Sequence, residues 1–85
     1  MEEKEIGEVE KYFSQAGVGV IKLKVGEIKI GDTIHFKGHT TDFTQKIDSM
    51  QIEHKSINVA PTGSSVGLKV KDRVRPGDKV YLVTA

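Results

Sequence analysis

The stretch GSSVGLK, at residues 63–69, contains the residue types of a phosphate-binding loop. Such loops have the pattern GxxxxGK followed by Ser or Thr, in which backbone N–H groups surround the anion. Here Gly63 and Gly67 stand one residue too close together, and Lys69 does not directly follow Gly67. Val70 occupies the position of the hydroxyl residue, and the following residues alternate as in a strand instead of starting a helix. We therefore predict that this chain binds no nucleotide.

Basic residues recur at every second position from residue 69 to residue 75 and are the best candidates for binding chemistry. In an extended strand such residues project from one face, and outward lysines of an earlier strand can extend the same wall. The predicted RNA-binding residues are Lys22, Lys24, Lys69, Lys71, Arg73 and Arg75. Such a wall would follow RNA phosphates and bind with a steep dependence on salt. The alternative is an ordinary solvated surface, because outward lysines are common and Asp72 interrupts the row.

The histidines His35, His39 and His54 are candidate metal ligands. Their spacing in a β context matches no established ligand pattern, and the chain has no cysteine. The serines show no recognisable arrangement with a histidine and an acid. We therefore predict surface histidines, no bound metal, no cofactor and no catalytic residues, so that the protein is not an enzyme.

The segments that contain these residues all show the pattern of β-strands. Apolar and polar residues alternate in about six segments, and a helical period is not sustained anywhere for a dozen residues. The predicted strands lie at about residues 5–13, 18–25, 33–37, 41–54, 66–71 and 79–84. Between Ile47 and Met50 the apolar positions change phase, which predicts a bulge in the fourth strand. Short strands separated by Gly-rich turns favour an all-β fold closed into a small barrel.

Two similar motifs predict equivalent corners of this barrel. They are IGDTIHF at residues 30–36 and PGDKVYL at residues 76–82. In each, the glycine can adopt a positive φ, the aspartate can bond the neighbouring backbone, and an alternating strand follows at once. The predicted structural turn residues are Gly31, Asp32, Gly63, Gly77 and Asp78.

Two longer motifs carry a resemblance to a known family. VGEIKIGDTIHFKG at residues 25–38 and GSSVGLKVKDRVRPGDKV at residues 63–80 stand in the order found in domain two of the translational GTPases, such as elongation factor Tu. The likeness runs from about residue 6 to residue 84. It implies a six-stranded, closed Greek-key barrel of the translation-protein type at residues 6–85, preceded by an acidic tail at residues 1–5.

The resemblance also implies a set of partners. In that family this barrel packs on a GTPase domain, contacts small-subunit ribosomal RNA, and in some members helps to hold the aminoacylated end of tRNA. A related barrel also ends some collagenase-like peptidases and RNA-modification enzymes, since one fold serves several hosts. The expected partners are therefore ribosomal RNA or tRNA, or a protein such as a GTPase.

Composition sets the remaining limits. The 85 residues suit one small domain. No signal peptide or membrane span is evident, so a cytoplasmic location is expected. The first ten residues carry one Lys and five Glu, or −4, which leaves +5 for the rest of a chain of net charge +1. Many Lys and Glu, with few Asn, Gln and Met, are typical of a thermophile.

Three functional hypotheses follow from these observations. The first is a translation-factor-like module that binds RNA or the ribosome weakly through the basic wall. The second is an adaptor that docks on a GTPase or an enzyme through one face of the barrel. The third is the accessory barrel of a peptidase-like enzyme, acting in trans. Salt-sensitive association with ribosomes would favour the first hypothesis, and salt-tolerant capture of one protein would favour the second.

Overall fold

The computed structural model describes residues 2–84, which form ten β-strands and no helix. The strands are β1 Glu2–Phe13, β2 Val18–Leu23, β3 Ile28–Lys29, β4 Thr33–Lys37, β5 Asp42–Lys46, β6 Met50–Ile52, β7 Lys55–Ile57, β8 Val59–Ala60, β9 Ser65–Lys69 and β10 Lys79–Thr84. The prediction of an all-β fold is confirmed. The described part of the chain also offers no helix that could cross a bilayer.

Eight of these strands form one antiparallel sheet, in the order β5-β4-β10-β1-β2-β9-β6-β7. Strands β3 and β8 pair separately. Across residues 2–84 no ladder joins β5 to β6 or β7, so the predicted closed six-stranded barrel is not confirmed. The two ends of the sheet are instead connected by the chain itself, because β5 leads into β6 through residues 47–49.

Residues 47–49 explain the phase change seen in the sequence. They belong to no strand, so the chain leaves one ladder and enters another instead of continuing through a bulge. Ile47 and Met50 are both 1% exposed and both enter the core. The core cluster is completed by apolar residues of the large sheet, of the β3–β8 pair and of the loop between β9 and β10: Ile6, Val9, Ile21, Leu23, Ile28, Ile34, Phe36, Ala60, Val66, Leu68, Val74 and Val80. Burial of these side chains supplies the main stabilisation, about 1.5–3 kcal/mol for each large one.

The expected acidic tail at residues 1–5 does not hold for residues 2–5, which belong to β1. Glu2 pairs with Thr84 and Glu5 pairs with Tyr81 in the ladder to β10. Side chains 2–5 are exposed, so no apolar alternation marks this part of the strand in the sequence. Its strand conformation depends on the hydrogen bonds of a ladder formed with residues far along the chain.

The first GD turn fixes the corner between β3 and β4. Gly31 has a φ of 96°, and the Asp32 carboxylate accepts a 3.0 Å hydrogen bond from the Lys29 N–H. The turn also holds the chain between β5 and β6. The Gly31 N–H donates to the Ile47 carbonyl at 2.9 Å, and the Ile47 N–H donates to the Asp32 carbonyl at 2.8 Å.

The second GD turn repeats this arrangement before β10. Gly77 has a φ of 94°, and the Asp78 carboxylate accepts a 2.9 Å hydrogen bond from the Arg75 N–H. Here the strand that is held is β1, because Val9 exchanges backbone hydrogen bonds of 2.8 Å with Gly77 and Asp78. The two sequence motifs therefore correspond to two corners with the same hydrogen-bond pattern.

Candidate functional site

The six predicted RNA contacts do not form one wall. Lys22 and Lys69 share the outer face of the β2–β9 pair, but they lie at its opposite ends, since Lys22 pairs with Ser65 and Lys69 pairs with Val18. Four residues of extended strand separate them, or roughly 13 Å. Strand β9 ends at Lys69, so the regular alternation that the sequence suggested does not continue into residues 71–75.

Two of the six side chains are engaged within the protein. The Lys22 ammonium donates a 2.8 Å hydrogen bond to the Gly63 carbonyl, at the turn that precedes β9. The Lys24 ammonium lies 2.6 Å from a Glu8 carboxylate oxygen. That hydrogen bond lowers the pKa of Glu8 and raises the pKa of Lys24 from their ordinary values. Lys24 therefore ties the end of β2 to β1, and Lys22 ties β2 to the turn that precedes β9.

The remaining basic residues lie in the loop between β9 and β10. Arg73 and Arg75 line an open cleft of about 250 Å³ together with the carboxylates of Asp42 and Asp72. The Lys71 ammonium lies 5.9 Å from the centre of the Phe43 ring, a cation–π distance. A cleft of mixed charge attracts phosphates less than the uniform basic wall expected from the sequence.

Of the three histidines, His35 has the most specific surroundings. Its Nδ1 lies 2.9 Å from Glu3 and its Nε2 lies 2.5 Å from Asp42, with the side chain 13% exposed. The hydrogen bond to Glu3, and next that to Asp42, raise the pKa of His35 above its ordinary value. His39 and His54 are exposed. Within residues 2–84 no three His, Cys, Asp or Glu side chains are grouped so that they could hold a metal ion.

An apolar groove of about 390 Å³ crosses the outer face of β2, β9 and β6; we call it the outer groove. One wall is apolar and consists of Phe13, Ala16, Val18 and Val20. The opposite wall is polar and consists of Gln51, Glu53 and His54, with Ser65 at one end. Val18, Val20 and Phe13 give the molecule an apolar outer patch that no other strand covers.

The floor of the outer groove is Gly67. In the ladders it lies between Val20 of β2 and Gln51 of β6, so the missing side chain opens a channel between the two walls. A Cβ at this position would lie 3.7 Å from the Val18 Cγ1 and 3.8 Å from the Gln51 carbonyl oxygen, which are ordinary contacts. The glycine is therefore not required by crowding, and a larger residue would fill the groove.

Uninterrupted alternation along β1 would place Phe13 on the core face with Val9, but the structure places it on the outside. The register of β1 against β2 shifts between Val9 and Lys11, so Glu10 is an extra residue and the phase of the strand reverses. Tyr12 consequently packs against the core, and Phe13 is 52% exposed on the outside. A bulge leaves no mark in the sequence here, and the outer groove was missed for that reason.

The rim of the outer groove contains an unusual turn. Ile52 pairs with Lys55, so Glu53 and His54 form the two-residue connection between β6 and β7. Their φ values are 51° and 66°, and they are the only non-glycine residues with positive φ in the described chain. This geometry matches a type I′ hairpin turn, where Asn-Gly is strongly preferred. Instead of Asn-Gly, the larger and ionisable residues Glu53 and His54 occupy this turn and line the outer groove.

Comparison with known proteins shows which proteins this chain resembles. The chain is 42% identical over 80 residues to an uncharacterised protease of Methanocaldococcus jannaschii and 38% identical over 77 residues to a collagenase of Porphyromonas gingivalis. These matches cover 93% and 89% of this chain, but only 19% and 21% of the two relatives. The chain therefore spans about a fifth of the length of the curated relatives it matches. No protein-family model matches it.

A solved structure has a similar fold. The C-terminal domain of a Geobacillus thermoleovorans protein assigned to the U32 peptidases superposes with a TM-score of 0.87 at 23% identity. The match covers 95% of this chain and 93% of that domain.

These findings overturn the resemblance to the translational GTPases. The relatives are named as protease and collagenase, so a translation-factor-like module that binds RNA or the ribosome is the wrong identification. The names of these relatives also contradict the prediction that the protein is not an enzyme. The physical reason is that the motifs behind the resemblance, at residues 25–38 and 63–80, contain the two GD turns and the turn at Gly63. They specify the corners of the fold and carry no information on its partner.

Proposed function

We propose that this chain is the accessory domain of a U32-type peptidase and that it holds a polypeptide for the rest of that enzyme. The observation that carries the proposal is the 42% identity that extends over 93% of the chain while accounting for 19% of the protease. The chain thus corresponds to one segment of a longer proteolytic protein. Of the three hypotheses drawn from the sequence, the accessory barrel of a peptidase-like enzyme is the one that the comparisons support.

The surface of the domain fits a polypeptide better than a small substrate. The outer groove is an open channel on the outside of the sheet, lined by the apolar side chains of Phe13, Val18 and Val20 on one side. Small-molecule sites are usually concave and bury most of their ligand. Open apolar channels with a polar rim are instead typical of surfaces that bind peptides or proteins.

A chimera tests the proposal. In the P. gingivalis collagenase, the matching 77 residues would be deleted in one variant and replaced by this chain in another. We expect the deletion to lower the cleavage of fluorescent gelatin by about tenfold or more, because a held substrate reacts at a higher effective concentration. The chimera is expected to restore most of that loss. Full gelatin cleavage by a folded deletion variant, or a folded chimera as slow as the deletion, would overturn the proposal.

A further inference from the structure

We propose that His35 is a pH-sensitive switch: its protonated form holds residues 2–5 on the sheet, and its neutral form allows them to detach from β10. Two features of the structure argue for this switch. One is the limited attachment of residues 2–5, which form a single ladder. The other is the position of the His35 ring between two carboxylates on different strands.

Residues 2–5 have fewer contacts than the rest of β1. They pair only with residues 81–84 of β10, because the ladder to β2 begins at Gly7. Their side chains are exposed and add nothing to the core. The strand is anchored from Ile6 onward, which is 1% exposed and whose carbonyl accepts a 2.7 Å hydrogen bond from the Lys24 N–H. A strand end with one ladder and no buried side chain opens at a low cost in free energy.

The contact between Glu3 and His35 ties this strand end to β4. Glu3 pairs with Val83 of β10, and His35 pairs with Tyr81 of the same strand. The two side chains therefore meet across β10, where the His35 Nδ1 lies 2.9 Å from a Glu3 oxygen. Within residues 2–84, His35 is the one basic side chain at ion-pair distance from Glu3. Loss of this contact would leave residues 2–5 with little more than their ladder to β10.

The placement of the His35 ring fits its charged form. Nδ1 faces Glu3, Nε2 faces Asp42 at 2.5 Å, and ionised carboxylates only accept hydrogen bonds. An imidazolium donates from both nitrogens, whereas a neutral imidazole has one N–H and turns a lone pair toward the other carboxylate. The shorter contact, to Asp42, lies within the β4–β5 pair, so we expect the remaining proton to stay there. Glu3 then faces a lone pair, and residues 2–5 lose their tie to β4.

The other charged or titratable groups around His35 do not take its place. Strands β1, β10, β4 and β5 and the neighbouring cleft contribute Glu5, Lys79, Tyr81, Lys37, Lys46, Arg73 and Arg75. The Lys79 ammonium lies 3.8 Å from Glu5 and 3.7 Å from Glu8. The centre of the Tyr81 ring lies 6.1 Å from that of His35. Histidine is the residue type among them whose charge ordinarily changes near neutral pH.

The direction of the switch follows from these contacts. Glu3, and next Asp42, raise the pKa of His35 while residues 2–5 are attached. The attached state therefore binds the proton more tightly than a detached state that lacks Glu3. Attachment is strongest at lower pH and weakens as the pH rises through the pKa of the attached state. Detachment would leave the backbone edge of residues 81–84 unpaired, and such an edge can pair with another strand.

Amide hydrogen exchange in the isotope-labelled 85-residue protein tests the switch. Protection factors, which correct for the intrinsic effect of pH on exchange, would be measured by NMR at about pH 6 and about pH 8.5. We expect the protection of residues 2–5 to fall about fivefold at the higher pH, the effect of one typical hydrogen bond. It should stay below that of the core amides of Ile21 and Leu23 at both pH values. Equal protection of residues 2–5 at the two pH values would overturn the inference, as would protection as high as that of the core.

Variants assign the effect to the proposed contact. His35→Gln should abolish the pH dependence at residues 2–5, and so should Glu3→Gln, whose amide can both accept from and donate to an imidazole. Glu5→Gln, on the same face of the same strand end, is the matched control and should keep the wild-type dependence. His39→Gln, at an exposed histidine, should keep it as well. Core protection at Ile21 verifies that each variant is folded. A pH dependence that persists in His35→Gln, or that disappears in Glu5→Gln, would refute the switch.

Discussion

At the scale of single residues, Gly7 and Gly67 show how similar positions in strands can have opposite requirements. A Cβ on Gly7 would clash with the Lys22 carbonyl oxygen, because β1 approaches β2 closely there. We expect Gly7→Ala to destabilise the protein by roughly 1–3 kcal/mol or more. Gly67→Ala meets only ordinary contacts and should change the free energy of unfolding by no more than about 1 kcal/mol, in the stabilising direction. Urea denaturation of both variants checks the pair, and equal midpoints would contradict it.

His35 gives the domain a predictable response to pH. Its pKa is raised in the folded protein by Glu3 and Asp42, whereas in the unfolded chain it returns to about 6.5. The contribution of the imidazolium is therefore complete below about pH 6.5 and is lost as the pH rises through the folded-state pKa. We expect the urea midpoint to fall across that window. His35→Gln should remove this part of the pH dependence, while His39→Gln at an exposed site should leave it intact.

The functional residues were only partly predictable from the sequence. The position of Val20 on the outer face with Lys22 was readable, because β2 alternates without interruption. Phe13 was not, since one extra residue at Glu10 reverses the phase of β1. Gly67 was visible as a glycine in a strand, but its role depends on Val20 and Gln51, which reach it only through the ladders. The pattern of residue types along a strand predicts which face each side chain occupies. It does not predict a groove, because a groove depends on which strands pair with each other.

At the scale of elements, we expect the β6–β7 hairpin to be less stable than a hairpin of the same length with an Asn-Gly turn. Glu53 and His54 occupy left-handed backbone at a cost of roughly 1–2 kcal/mol each. Replacing them by Asn and Gly should therefore raise the free energy of unfolding by about 1 kcal/mol or more. Thermal unfolding measures this gain. A lower melting temperature in the variant would mean that the wild-type side chains stabilise the turn themselves.

The gap between β5 and β9 is bridged by one side chain. The Gln45 amide donates a 2.7 Å hydrogen bond to the Lys69 carbonyl and accepts one of 2.8 Å from the Lys71 N–H. We expect Gln45→Ala to cost about 1–2 kcal/mol and to speed hydrogen exchange at the Lys71 amide. Thr44→Ala, its exposed neighbour on β5, is the matched control. Unaltered exchange at Lys71 in the Gln45 variant would show that β5 and the end of β9 are held together in another way.

The sequence predicted the longer elements better than the shorter ones. Strands β2, β4 and β9 bury alternate residues, so their periodicity was readable. The two-residue strands β3 and β8 are too short to show any period, and they were not predicted. The segment 41–54 was taken as one bulged strand because both Ile47 and Met50 are apolar. Only the ladders reveal that it serves two strands with different partners.

At the scale of the whole molecule, the fold was predictable to a greater extent than the family of similar proteins. Two corners with one hydrogen-bond pattern, at Lys29–Asp32 and Arg75–Asp78, generate an all-β architecture that unrelated hosts can use. A motif that forms such a corner does not distinguish one family of proteins from another. The similarity to proteolytic relatives came from identity over 80 and 77 residues, a length well beyond that of the corner motifs.

The pairing of β1 with β10 has a consequence for how such a unit is joined to other chains. Glu2 stands directly opposite Thr84 in the ladder, so the first and last described residues are neighbours about 5 Å apart. A polypeptide that enters the domain through one of these strands leaves it through the other, next to the point of entry. If these residues were removed from a longer chain, the two backbone ends to be rejoined would be only one strand spacing apart. Insertion of the same residues into a surface loop of another protein would change the structure of that protein little.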